Sequence, residues 1–269
     1  MKQITLAVAF LMAFTTSVLA QDYDKGLAAY QAGDYATALQ EWRPLAEQGN
    51  AIAQTDLGFM YQSGKGVLQD DAEAVKWYRM AAEQGFAYAQ GNLGLMYSEG
   101  NGVTQDDAEA AKWTRMAAVQ GNAQAQFNLA LMYRNGKGVL QDYAEAAKWW
   151  RMAAEQGDAE AQNSLGWNYR KGFGVLQDYA EAVKWYRMAA EQGHTKAQNN
   201  LGAMYHEGSG GLEDNITAHM WYNIASANGN KYGGENRDII AKEMTSEDIL
   251  KAQAMARECM SSNYKKCGY

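Results

Sequence analysis

Proline is almost missing from this sequence, with one residue in 269, and there are only two cysteines and three histidines. A single proline excludes a collagenous or proline-rich filament and favours long, unbroken helices. Two cysteines allow one bridge at most, which excludes a disulfide-dense scaffold. There is no surplus of positive charge either: 31 acidic side chains face 24 basic ones, a net charge of -7. No overall field therefore draws phosphate backbones or anionic lipid, and a nucleic-acid or membrane-surface role is disfavoured. Disorder is excluded from the other side, because 47% of the residues are hydrophobic and only 20% are charged. Beyond the first twenty residues no stretch is apolar enough to cross a membrane.

Those first twenty residues are set apart. Lys2 gives a positive start, Ile4 to Phe14 is an apolar run broken only by Thr5, and Val18-Leu19-Ala20 offers small or modest residues where a signal peptidase reads. The pattern predicts a signal peptide over 1–20, cleaved after Ala20, and hence an exported protein, periplasmic or secreted. The other reading is an uncleaved anchor, but the run is short for a bilayer of roughly 30 Å.

One period organises the rest. Gln-Gly pairs end at Gly49, Gly85, Gly121, Gly157 and Gly193, and Asn-Gly at Gly229, each 36 residues after the last. Tryptophan keeps the same phase at Trp77, Trp113, Trp149, Trp185 and Trp221, and tyrosine at Tyr61, Tyr97, Tyr133, Tyr169 and Tyr205. Two independent aromatic columns do not arise from composition, and a fixed period of this size means stacked units too small to bury an apolar face alone.

Each unit reads as two helices. Ala53, Leu57, Met60 and Tyr61 recur at helical spacing, and so do Ala74, Trp77, Tyr78 and Ala81. The second helix opens on Asp70 with Glu73 three residues on, repeated at Asp106, Asp142 and Asp178, a side-chain cap combined with favourable dipole chemistry. It closes on the Gln-Gly pair. In the first helix Gly58, Gly94, Gly166 and Gly202, with Ala130 in the same column, lack bulk. Each glycine costs about 1 kcal/mol of helix propensity, which close helix packing has to offset.

In the third unit the residues Ala125-Gln126, Leu129, Met132-Tyr133, Gly136-Lys137-Gly138-Val139, Asp142, Ala146, Lys148-Trp149 and Ala153-Ala154-Glu155-Gln156-Gly157 carry a resemblance to the Sel1-like repeat, a relative of the tetratricopeptide repeat. The resemblance implies an all-α, right-handed α-solenoid of two-helix repeats. Five units are expected at 49–84, 85–120, 121–156, 157–192 and 193–228. The fifth departs, with Gly211 in place of valine and Thr217 where the acid stood. A shorter capping hairpin is expected over 21–48, turning at Gly33-Asp34, with Trp42 one place off the tryptophan column. Residues 229–269 read as a polar stretch to 242, then a capping helix from Thr245 or Ser246 to about Met260, and a tail.

Few residues offer chemistry. Cys259 and Cys267, in a chain expected to meet an oxidising compartment, read as a disulfide folding the tail onto the last helix; free thiols are the other reading. Neither a metal nor a cofactor is expected, since the histidine nearest the cysteines is His219. His194, His206 and His219 read as surface or interface residues and not as general bases. Ser262-Asn263-Tyr264-Lys265 spells SxxK, and some cysteine-rich relatives are linked with penicillin binding or weak β-lactam hydrolysis. The SDN and KTG companions are missing, so no catalytic residue is assigned.

The tryptophan column reads as core. Residues that depart from the period are more informative. With Ala53, Leu57 and Tyr61 inward, the positions equivalent to 52, 56, 59 and 63 form one flanking stripe of the first helix. On it Phe59, Tyr88 and Trp167 are candidate aromatic anchors, with Leu95, Leu131 and Lys171 beside them. Asn92, Asn128 and Asn200 would give register, or bond structurally to neighbouring turns. The expectation is a non-catalytic scaffold binding a peptide or protein along this stripe, with no nucleic acid and no integral membrane segment after cleavage. A cell-wall glycan binder is the alternative of a different class, and a β-lactam hydrolase a third.

Overall fold

A computed structural model describes residues 23–211 and 213–267; the segment 1–20 read as a signal peptide lies outside the described residues. Among the described residues all regular structure is helical. Residues 23–31 form α1, followed by α2 (Tyr35–Glu47), α3 (Ala51–Ser63), α4 (Asp71–Glu83), α5 (Ala87–Glu99), α6 (Asp107–Val119), α7 (Ala123–Asn135), α8 (Tyr143–Glu155), α9 (Ala159–Lys171), α10 (Tyr179–Glu191), α11 (Thr195–His206), α12 (Asn215–Ala227), α13 (Gly233–Ile240) and α14 (Ser246–Ser261). Of the described residues, 23–125 with Lys137–Val139 make one compact unit; Gln126–Gly136 and those from Leu140 on make a second.

Cap chemistry sets the helix starts. Asp70, Asp106, Asp142, Asp178 and Asp214 each accept a backbone N–H of the first turn of the even-numbered helix that follows. In the fifth repeat the cap therefore survives, and Thr217 returns its hydroxyl to Asp214 at 2.6 Å. The odd-numbered helices are capped less uniformly. Asn50, Asp158 and His194 accept from the third residue on, whereas Phe86 makes no side-chain cap.

The inter-helix loop holds successive repeats together. Gly102 has φ 65°, and a Cβ there would lie 2.2 Å from the Asp71 carbonyl; at Gly174 the same atom would lie 1.9 Å from that of Tyr143. Only glycine allows the loop of one repeat to rest on the first turn of the preceding repeat's second helix.

A buried glutamine column closes the other end. In the first unit Gln54 donates to the Ala46 carbonyl at 2.9 Å and accepts from Gln84 at 2.7 Å. In the second, Gln162 does the same with Ala154 at 3.0 Å and Gln192 at 2.7 Å. Each glutamine thus joins the last turn of one repeat's second helix to the C-cap of the next, where carbonyls lack helical partners.

Close packing offsets the helical glycines. A Cβ on Gly58 would sit 2.8 Å from the Tyr78 ring, and one on Gly166 would sit 2.8 Å from that of Tyr186. Trp42 belongs to this same column, because a Cβ on Gly26 would fall 2.4 Å from its indole nitrogen. The ring is therefore the counterpart of Tyr78 and not a displaced Trp77. Of the tryptophan column proper, Trp113, Trp149, Trp185 and Trp221 are buried and Trp77 is half-buried.

The C-terminal segment differs from expectation. Residues 230–242 contain α13, a shortened continuation of the odd-numbered series. Asn230 stands at the capping phase of Asn50 and accepts the Gly233 N–H at 3.1 Å, and Ile240 occupies the buried column of Met204. The clues were present in register, but Gly233-Gly234 and the missing alanines obscured them. Thr245 caps α14, and Cys259 and Cys267 are joined by a disulfide that closes the tail against its last turn.

Candidate functional site

The stripe residues lie in the two units and are described separately. In the first unit Ile52 and Phe59 are each 44% exposed and Tyr88 is 66% exposed, large values for such side chains. With Thr55, Asp56, Phe86 and Asn92 they line a shallow cleft, and Leu95 is exposed nearby. Phe86 rests against Tyr88 at 5.8 Å between ring centres, which explains the uncapped start of α5: the cap position carries an aromatic ring instead. Phe59 is partly engaged, since Lys65 lies 5.5 Å from its ring centre. Asp56 accepts the Tyr23 hydroxyl at 2.8 Å; burial pushes its carboxyl up, and that hydrogen bond opposes the shift.

In the second unit Trp167 is 36% exposed and packs on Phe173, ring centres 5.0 Å apart, with Tyr143 beyond. Phe173 replaces the loop lysine of Lys65 and Lys137. That departure was visible in the sequence, but its place in a loop concealed its contact with Trp167. Beside this cluster a cleft of about 200 Å³ is lined by Arg134, Trp150, Asn163, Ser164, Trp167 and Asn200. Asn200 donates to Asn163 at 3.0 Å, so one of its roles is structural. Lys171 is exposed, and Asn128 and Leu131 are half-buried. Sequence reasoning missed Arg134, Trp150 and Asn163, which lie off the chosen stripe and enter the cleft from neighbouring helical columns.

Of the three histidines, His219 is buried and His194 and His206 are half-buried. The His194 side chain is 11% exposed, caps α11 and lies 3.1 Å from Glu160. His206 is half-buried and bonds to Asn215 at 2.9 Å. His219 is 2% exposed in α12, where the equivalent positions are Val75, Ala111, Ala147 and Val183. Burial, then the nearby Arg237, lowers its pKa. The Ser262 hydroxyl donates to the Cys259 carbonyl at 2.8 Å and accepts the Lys266 N–H at 2.9 Å, so it serves as a helix-terminal bond. Among the described residues no group of three or more His, Cys, Asp or Glu is placed to hold a metal, and no helix is long and apolar enough to cross a membrane.

Fold and surface together define a class: tandem helix pairs whose polar networks join repeats, with the exposed rings of Phe59, Tyr88 and Trp167 on first helices of their pairs. The chain belongs to the Sel1 repeat family, which matches residues 51–86, 87–122, 123–158, 159–194 and 195–230. It has the all-α solenoid fold class of that family. It is similar to a Sel1 repeat protein from Oxalobacter formigenes, with 37% identity, 88% of this chain and 99% of that chain covered, and a TM-score of 0.77. It is also similar to c5321, a protective antigen of uropathogenic Escherichia coli strains with an SLR fold, at 35% identity and a TM-score of 0.81. That match covers 91% of this chain and 54% of the antigen, so the chain spans about half the antigen's length. No curated protein matches the chain. Sel1 repeat proteins are generally protein-interaction scaffolds and typically non-enzymatic.

Proposed function

We propose that this protein is a non-catalytic docking scaffold of the bacterial envelope or secreted space, binding a peptide or partner protein along the exposed face of its odd-numbered helices. One observation carries this reading: Phe59, Tyr88 and Trp167 are aromatic, exposed and not required by the repeat, which elsewhere places leucine or alanine at the positions of Phe59 and Trp167. Partly exposed rigid rings beside clefts supply contact area at low entropic cost. Asn92 and Leu95 in the first unit, and Asn128, Leu131, Lys171 and Asn200 in the second, belong to the same stripe of the repeat. The export pattern at 1–20 supports the compartment.

Photo-crosslinking tests the face. A benzophenone side chain at Tyr88, Leu95 or Leu131 should trap a discrete partner when the protein is expressed with residues 1–20 in its own host. The same group at Met80 or Met116, exposed on even-numbered helices, should not. Equal trapping from both faces, or crosslinks to glycan alone, would refute the reading. Mature protein beginning at Gln21 is the expected product of export.

A further inference from the structure

Two columns of the repeat meet beside the cleft of the second unit. Arg170 pairs with Glu207 of the next repeat at 2.5 Å. One repeat earlier the same two positions hold Arg134 and Lys171, so the carboxylate that neutralises Arg170 is replaced by a second cation. Among the described residues Arg134 makes no ion pair. Its Nε donates to Asn135 at 3.2 Å, and its guanidinium lies 5.6 Å from the Trp150 ring centre.

The buried partner column shows a matching fault. In the first unit the Tyr78 hydroxyl, kept protonated by burial, donates to the Gln62 carbonyl oxygen at 2.8 Å. The equivalent positions in the second unit hold Trp150 and Arg134, whose side chains can only donate, and the guanidinium lies over the indole ring. Trp150 is 1% exposed, lines the cleft, and its Nε1–H has no acceptor. By contrast the indoles of Trp149 and Trp185 donate to Glu145 and Glu181. Asn163 uses its oxygen to accept from Asn200, which leaves its amide N–H groups, and Ser164 adds a hydroxyl. In a chain of net charge -7, the lining of this cleft gathers a guanidinium, two indoles, amide groups and a hydroxyl, and no carboxylate.

We infer that the cleft formed by Arg134, Trp150, Asn163, Ser164 and Trp167 is a carboxylate-binding subsite. It receives a glutamate or aspartate side chain, or a C-terminal carboxylate, of a peptide docked on the odd-numbered helices of the second unit. A planar guanidinium fork suits a carboxylate, the Asn163 amide and Ser164 hydroxyl are further donors, and the Trp167 ring walls the aliphatic part, while the Trp150 indole beneath the guanidinium senses the bound charge. The inference names the ligand chemistry of the docking reading and rests on it.

The test uses ¹H–¹⁵N spectra of the full-length mature protein, with the Trp150 indole resonance identified from Trp150→Phe. N-acetylalanine supplies a C-terminal carboxylate, N-acetylglutamate α-amide supplies a side-chain one, and inorganic phosphate supplies a different anion. The Trp150 indole resonance should shift and saturate at millimolar carboxylate, and whichever of the two carboxylates binds tighter identifies the source. Arg134→Gln should weaken binding by roughly tenfold or more. Lys171→Glu should abolish it by restoring the ion pair that Arg170 and Glu207 make, with an unchanged circular dichroism spectrum. An indole that no carboxylate moves, an equal response in Lys171→Glu, or a response to phosphate alone overturns the assignment. Saturable carboxylate binding without crosslinked partners would sink the docking reading and leave the subsite standing; partners without a Trp150 response would do the reverse.

Discussion

Gln162 offers a direct measure of what joins the repeats. The residue is 1% exposed and makes two hydrogen bonds, to the Ala154 carbonyl and from the Gln192 amide. Gln162→Leu keeps most of the volume and removes both. Neither partner is left bare, because the Ala154 carbonyl still accepts the Gly157 N–H at 3.0 Å and Gln192 still donates to the Met188 carbonyl at 3.3 Å. The full cost of stranding a buried polar group therefore does not apply. Two net hydrogen bonds at about 1 kcal/mol each set the loss at about 2 kcal/mol. For a chain of this size that corresponds to a fall in Tm of about 4 to 8 °C. Urea unfolding followed by tryptophan fluorescence, with an unchanged slope, gives the free energy. The double variant with Gln192→Leu should lose less than the sum of the two single variants, by about 1 kcal/mol. A Gln162→Leu protein as stable as the parent would mean that apolar packing alone joins the repeats, and the reasoning would fall.

Four further outcomes are expected. Gly166→Ala should destabilise by about 1 to 2 kcal/mol, because strain against Tyr186 exceeds the gain in helix propensity, whereas Gly91→Ala, whose new Cβ meets Ala117 at an ordinary 3.9 Å, should stabilise by about 0.5 to 1 kcal/mol; thermal melts of the two should move in opposite directions. Asn168 is fully buried in the column of Met60, Met96, Met132 and Met204 with neither amide atom bonded, so Asn168→Met should raise the urea midpoint, by an amount worth about 1 to 3 kcal/mol. His219 has a folded pKa below its unfolded value near 6.5, so it binds protons more readily unfolded. Stability should be level above about pH 7 and decline as pH falls through 6.5 toward the lower folded pKa, and His219→Gln should remove that part of the slope. Cys259→Ser should cost about 2.5 kcal/mol by the loop-closure estimate for this short loop, read as faster amide exchange in α14.

The sequence by itself determined the architecture. Its 36-residue phase, the Asp70-type caps and the Gln-Gly terminators act within a few residues of themselves, so local chemistry was enough to place the helix pairs. The glycine column likewise announced close packing, though not against which ring. Tertiary structure alone decided what crosses between repeats. The glutamine column reads as a polar helix position until Ala46 and Gln84 are seen around Gln54. Trp42 finds its column only through Gly26, and α13 becomes legible once Ile240 fills the place of Met204. The cleft is the strongest case. Arg134, Trp150, Asn163 and Ser164 come from three helices, and each looks ordinary in its own window. Their gathering in one lining without a carboxylate is a property of groups brought together across repeats, where a one-dimensional period records spacing but not which side chains share a cleft.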